Sequence, residues 1–270
     1  MNRITTRIGL FTLVLAGLVV GTAVASFAAS NPTPTPTGAI LKTRVFNDCP
    51  TSDLMIENDY PAVISFAESN LDCFGFANLH VWHFTADGVN EAAFDNNASY
   101  RFGADFKIEG DGNGEGGLQV SPWWSHDADG LFNIRSTDGE IACFGGRLPF
   151  FTFTGAFGLT YVNNTPIQIG ISYLPNGLSS VSPAAIVYNL RYNSINYTSG
   201  LINFDEGTPA EGHGSWGALT PWYAGGHMKM FAFPSGQPHG IVGTWNDIQY
   251  TSGPTPTKKS SWSTLKKLYR

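Results

Sequence analysis

Cysteine is scarce in this 270-residue chain, which carries only Cys49, Cys73 and Cys143. No Cys-x-x-Cys pair or Cys/His cluster occurs, and that excludes the common zinc frameworks. An odd count leaves at least one thiol outside any intrachain bridge. Cys49 with Cys73 is the expected disulfide, since both stand in a loop-rich N-terminal region. Cys143 lies in an apolar run and is expected to be buried. Charge is also sparse, at 13% of residues. Helical periodicity is missing between residues 39 and 252. Beyond the N-terminus no apolar run is long enough to span a bilayer, so the mature chain is expected to have no transmembrane segment.

The termini differ from the rest of the chain. Arg3 and Arg7 precede an apolar run from Ile8 to Val24, and the small residues Ser26 and Ala28 follow it. That order reads as a signal peptide over residues 1–28, hence a secreted or cell-surface protein. Residues 29–38 hold alternating Pro and Thr, an extended linker with nothing to offer a core. The same pairs return after Gly253 and open a C-terminal stretch, residues 253–270, rich in Lys and Arg and free of acid. Trp262, Leu265 and Leu268 recur there at helical spacing. The stretch reads either as a contact for an anionic surface or as a solvated tail.

Between the linkers lies one domain, residues 39–252. Of the 15 basic residues, two precede it and five follow it, leaving eight; all 21 acidic residues lie inside. Its formal charge is therefore −13. A domain so acidic repels phosphate backbones, which argues against a nucleic-acid partner and suits cations or neutral ligands such as sugars.

What the domain has in abundance is alternation. Tyr100, Phe102, Ala104, Phe106 and Ile108 alternate with Arg101, Gly103, Asp105 and Lys107. Leu118, Val120, Pro122 and Trp124 alternate with Gln119, Ser121 and Trp123, and Phe132 and Ile134 with Asn133 and Arg135. The same period of two marks Ile167–Tyr173, Ile186–Tyr192, His227–Phe233 and Gly243–Tyr250, and Leu79–Phe84 reads as a further strand. Turn residues at Asp111-Gly-Asn-Gly, Asp129-Gly, Thr137-Asp-Gly, Pro175-Asn-Gly and Pro234-Ser-Gly separate them. Many strands, short turns and no crossover helices predict an all-β fold, an antiparallel two-sheet β-sandwich.

Three segments in order, Tyr100-Arg-Phe-Gly-Ala-Asp-Phe-Lys-Ile108, Gly116-Gly-Leu-Gln-Val-Ser-Pro-Trp-Trp124 and Gly130-Leu-Phe-Asn-Ile-Arg135, resemble the middle strands of the concanavalin A-like lectin/glucanase superfamily, the LamG-like jelly rolls. Gly243-Thr-Trp-Asn-Asp-Ile-Gln-Tyr250 is similar to the last strand of such folds. The resemblance spans most of residues 44–250 and is a pattern of strands rather than a motif. It implies a jelly roll used for glycan binding or glycan cleavage.

The carboxylate pattern of the glucanases is missing. Asp205 and Glu206 are adjacent and point to opposite faces of any strand, while Asp138 and Glu140 flank a turn. No Gly-x-Ser-x-Gly elbow occurs. The expectation is therefore a carbohydrate-binding, lectin-like domain. A structural or adhesive surface protein is the first alternative, and a glycan hydrolase or lyase with an atypical site the second. If the three middle strands are neighbours, Arg101, Asp105, Lys107, Gln119, Ser121, Trp123, Asn133 and Arg135 share one surface. A tryptophan among amides and charges is the chemistry a pyranose requires. Asp111, Asn113 and Glu115, oxygen ligands at alternate positions in a glycine-rich loop, are the candidate calcium ligands; ordinary turn geometry gives the same residues.

Overall fold

The computed structural model describes residues 35–73, 78–120, 130–206, 216–218, 222–231 and 239–252. The signal peptide, residues 29–34 of the first Pro-Thr linker, the second linker, the basic C-terminal stretch, Ser121, Trp123 and Trp124 lie outside these residues, whereas Thr37 N donates to Thr85 O at 2.8 Å and Gly38 opens the first strand.

Among the described residues, fifteen strands and one short helix build two antiparallel sheets, the architecture of a jelly-roll β-sandwich. The first sheet contains β1 (Gly38–Asn47), β4 (Asn78–Thr85), β6 (Asn113–Val120), β7 (Gly130–Arg135), β8 (Ile141–Gly145), β9 (Leu148–Thr152) and β14 (Ala224–Phe231). Its order is β1-β4-β14-β6-β7-β8-β9. The second contains β2 (Asp53–Asp59), β3 (Val63–Leu71), β5 (Tyr100–Gly110), β10 (Ile167–Leu174), β11 (Ala185–Tyr192), β12 (Ile195–Thr198) and β15 (His239–Ser252), in the order β12-β11-β10-β5-β15-β3-β2. β13 (Ile202–Asn203) pairs with β11. The helix α1 (Phe153–Phe157) is capped by Thr152, whose side chain accepts from Gly155 N, and it ends on Gly158 at φ 67°.

The alternation seen in sequence becomes the two faces of each strand. Tyr100, Phe102, Phe106 and Ile108 are buried while Arg101 is exposed and Asp105 and Lys107 are half-buried. Leu118, Val120, Phe132 and Ile134 meet them from the opposite sheet, all fully or nearly fully buried. Aromatic rings bridge the layers: Trp82 to Trp245 at 6.1 Å, Phe84 to Phe102 at 5.6 Å and Phe132 to Tyr188 at 5.6 Å. Trp245 Nε1 also donates to Gly117 O at 3.0 Å, which pins the sheets in register. Each such ring removes on the order of 150–250 Å² from water, so the aromatic content is chiefly core.

Three expectations are corrected. β5 belongs to the second sheet and β6 and β7 to the first, so the three middle strands are not all neighbours. The two-residue turn Asp111-Gly112 carries the chain across the sandwich instead of closing a hairpin within one sheet. Asn113 and Glu115 lie in β6 rather than in a glycine-rich loop. The N-terminal region is not loop-rich but supplies β1, β2 and β3. β1 and β2 are edge strands with exposed or half-exposed side chains, so neither shows a clean alternation. Cys49 and Cys73 form a disulfide, with Cα atoms 5.5 Å apart, and Cys143 is a free, fully buried thiol.

Candidate functional site

The outward face of the first sheet carries polar side chains, and His83, Gln119, Asn133 and His227 among them are buried. Three rows cross β4, β14, β6 and β7 in register. The first row is His83, Gly225, Gln119 and Leu131; the second Val81, His227, Gly117 and Asn133; the third Leu79, Lys229, Glu115 and Arg135. Gln119 is 0% exposed and His227 1%.

Glycine makes the first two rows work. A side chain normally touches the residue on the adjacent strand, about 4.8 Å away. With Gly117 between them, His227 and Asn133 meet across a whole strand, Nε2 to Oδ1 at 3.0 Å. With Gly225 between them, His83 Nε2 and Gln119 Nε2 meet at 2.9 Å. Gly117 has φ +153°, and a Cβ there would overlap the carbonyl oxygen of Phe132. No other residue fits.

The hydrogen bonds fix their own direction. Glu115 accepts twice, from Lys229 Nζ at 3.0 Å and from Asn133 Nδ2 at 3.1 Å. The Asn133 amide must then present Oδ1 to His227, whose Nε2 carries the proton. Nδ1 is left as a lone pair with no partner. Burial, with repulsion from Lys229 second, pushes the His227 imidazole down to about 3, so the ring is neutral at physiological pH. In the first row Glu91 accepts from Lys42 Nζ at 2.7 Å and pairs with His83 Nδ1. Hydrogen bonding to His83 is the main force that holds the Glu91 carboxyl down at about 2. His83 Nδ1 therefore donates, Nε2 accepts from Gln119, and Gln119 Oε1 is left without a partner. Tyr223, half-buried, stacks on the His83 ring at 5.8 Å. The face thus holds two enclosed acceptors with no donor among the described residues. A buried polar atom in that state costs about 1–3 kcal/mol.

The residues expected to bind ligand divide between the two faces of the sandwich. Gln119 and Asn133 belong to the enclosed rows. Arg135, beside them, clamps its own turn through Asp138 at 2.5 Å and Glu140 at 2.7 Å. Arg101, Asp105 and Lys107 face outward from the second sheet, on the far side of the core, so the shared surface does not exist. Lys107 pairs with Glu109 at 2.7 Å. Asp111, Asn113 and Glu115 do not converge. Asp111 accepts from Gly240 N at 3.0 Å and faces His239, whereas Glu115 is held by Lys229 and Asn133. Among the described residues no group of three His, Cys, Asp or Glu side chains could hold a metal ion. Sequence reading missed His83, Glu91 and Lys229, and it grouped His227 with an aromatic cluster on a rim loop, whereas the structure has it inside β14. His227 and Lys229 alternate with Met228 and Met230 in a recognisable strand, and that polar alternation was the available signal.

No protein-family model matches this chain, and no curated protein matches it. Among solved structures, a family 7 alginate lyase in complex with substrate is similar over 74% of this chain and 82% of its own, at 8% identity and a TM-score of 0.43. Lectin II from Ulex europaeus is similar over 82% and 96%, at 11% identity and a TM-score of 0.39. Peanut lectin with a nine-residue peptide is similar over 85% and 96%, at 8% identity and a TM-score of 0.38.

Proposed function

We propose that this chain is a secreted carbohydrate-binding protein whose ligand engages the polar rows of the first sheet. The observation that carries the reading is the pair of unpartnered buried acceptors, Gln119 Oε1 and His227 Nδ1, on one face. Both call for a donor, and a sugar offers hydroxyl donors at close spacing. The rest of each row is saturated, so the two acceptors stand in fixed positions. Binding is favoured over catalysis because a histidine pushed down to about 3 is a poor general base at neutral pH.

The test is binding of the full chain to an immobilised glycan and polysaccharide panel, with calcium and with chelator. Saturable binding that weakens at least about tenfold in both Gln119→Ala and His227→Phe supports the reading. Chelator sensitivity would add a metal requirement to the reading, and loss in Trp123→Ala would add that ring to the site. Absence of binding across the panel, or binding indifferent to both Gln119→Ala and His227→Phe, overturns it in favour of a structural or adhesive surface protein.

A further inference from the structure

The second sheet carries a separate feature on its outward face. Gly103 of β5 and Gly170 of β10 are register partners, and neither has a side chain to fill the surface. A trough of about 470 Å³ lies over them, inside the about 300–1,000 Å³ range of small-molecule sites. It crosses β15, β5, β10, β11 and β12, and four inter-strand steps of about 4.8 Å make it about 19 Å long. That length fits several sugar rings in a line rather than one.

Its lining is planar and polar. Arg101 and Arg191 supply guanidinium groups, Asp105 and Asp247 carboxylates, and Gln168 and Asn189 carboxamides. None of the four charged groups makes an ion pair among the described residues, and Arg191 Nη1 donates only to Gln168 Oε1, at 3.4 Å. Two cations and two anions leave the lining formally neutral, which rules against a polyanion and suits a hydroxyl-rich, uncharged chain.

One lining residue is there through backbone strain. β15 slips register between Asn246 and Gln249, and the bulge adds Asp247 to the outer face at φ 49°. Asp247 N and Ile248 N are held by the carbonyls of Ala62 and Pro61. A non-glycine residue in this region costs of order 1–3 kcal/mol, and such residues cluster at ligand sites. Here the cost places a carboxylate at the trough.

We propose that this trough is a second glycan site, taking a linear neutral oligosaccharide laid across the strands. The two sites lie on opposite faces of the sandwich, so one chain could cross-link two glycan strands. The trough shares with the first site only the class of ligand and stands or falls without it.

The experiment is calorimetric titration of the full chain with neutral cello-, xylo-, manno- and laminari-oligosaccharides, tetra- to hexasaccharides, with backbone amide NMR shifts as the map. Gly170→Phe fills the floor, and the space above its Cβ is open, with its nearest neighbour 3.4 Å away. Arg191→Ala is an exposed second variant that leaves the core untouched. The expected result is shifts at β5, β10 and β11, and an affinity there at least about tenfold weaker in both variants. Gln119→Ala should leave that binding unchanged. Loss of the first site alone, with trough binding intact, overturns only the earlier reading. Shifts confined to the first sheet, unchanged affinity in both trough variants, or no binding by any of these oligosaccharides overturns the second site.

Discussion

His227 Nε2 donates to Asn133 Oδ1 at 3.0 Å over a strand that separates them, because Gly117 lies between and carries no side chain. The bond starts a chain that continues through Glu115 to Lys229 and leaves His227 Nδ1 open. Position and protonation are therefore set by neighbours on three different strands.

Asn133→Ala removes a shared link, stranding the His227 Nε2–H and one oxygen of Glu115. The expected loss is about 1–3 kcal/mol of stability, read by urea unfolding. Gly117→Ala should cost more, about 3 kcal/mol or above, since its Cβ overlaps Phe132 O and its φ is +153°. Equal midpoints for the two variants and the parent would show that the rows contribute nothing.

The His227 ring should stay neutral, with its proton on Nε2, from pH 8 down to about pH 4. Its folded-state value of about 3 lies below the ordinary histidine value of about 6.5, so the unfolded chain takes up the proton first and the fold loses stability as pH falls from about 6.5 towards 3. Imidazole ¹⁵N shifts across that range are the measurement. A titration midpoint near 6.5 would mean the ring is solvated.

Acid stability should depend on Glu68, which is 1% exposed. Burial pushes its carboxyl up, but the His80 ring 3.4 Å away and the hydrogen bonds from Asn78 and Ser52 outweigh it and the net direction is down. Asn78 Nδ2 and Ser52 Oγ donate to Oε1 at 2.6 and 2.8 Å, and Arg44 stands 3.5 Å away. A depressed carboxylate contributes stability above its unfolded value and loses it as pH falls through the folded one. Glu68→Gln should thus lower the melting temperature at pH 7 and flatten its fall below about pH 4.5. An unchanged pH profile would remove Glu68 from the acid transition.

Reduction of the Cys49–Cys73 bridge, which spans 24 residues, should cost about 3–4 kcal/mol by loop-closure entropy. The Cys143 thiol is fully buried and its value is raised well above the ordinary range by desolvation, so it should resist alkylation until the domain unfolds. Denaturant midpoints of Cys49→Ala/Cys73→Ala and timed alkylation of the native protein check both. Prompt labelling of Cys143 would contradict its burial.

Sequence alone determined that this is a sandwich of antiparallel strands, and which residues of Tyr100–Ile108, Ile167–Tyr173 and Ile186–Tyr192 face the core. A period of two states the face of every residue on a strand, whatever stands beside it. It is silent about neighbours. Only the tertiary structure put β5 and β6 in different sheets, because a turn of two residues at Asp111-Gly112 serves a crossing as readily as a hairpin. That one step separated Arg101 and Asp105 from Gln119 and Asn133. It also brought β14, more than 90 residues further along, between β4 and β6, so that His227 and Asn133 meet above Gly117 and His83 and Gln119 above Gly225. The sites depend on which strands lie next to glycine, and that is a property of the long-range pairing.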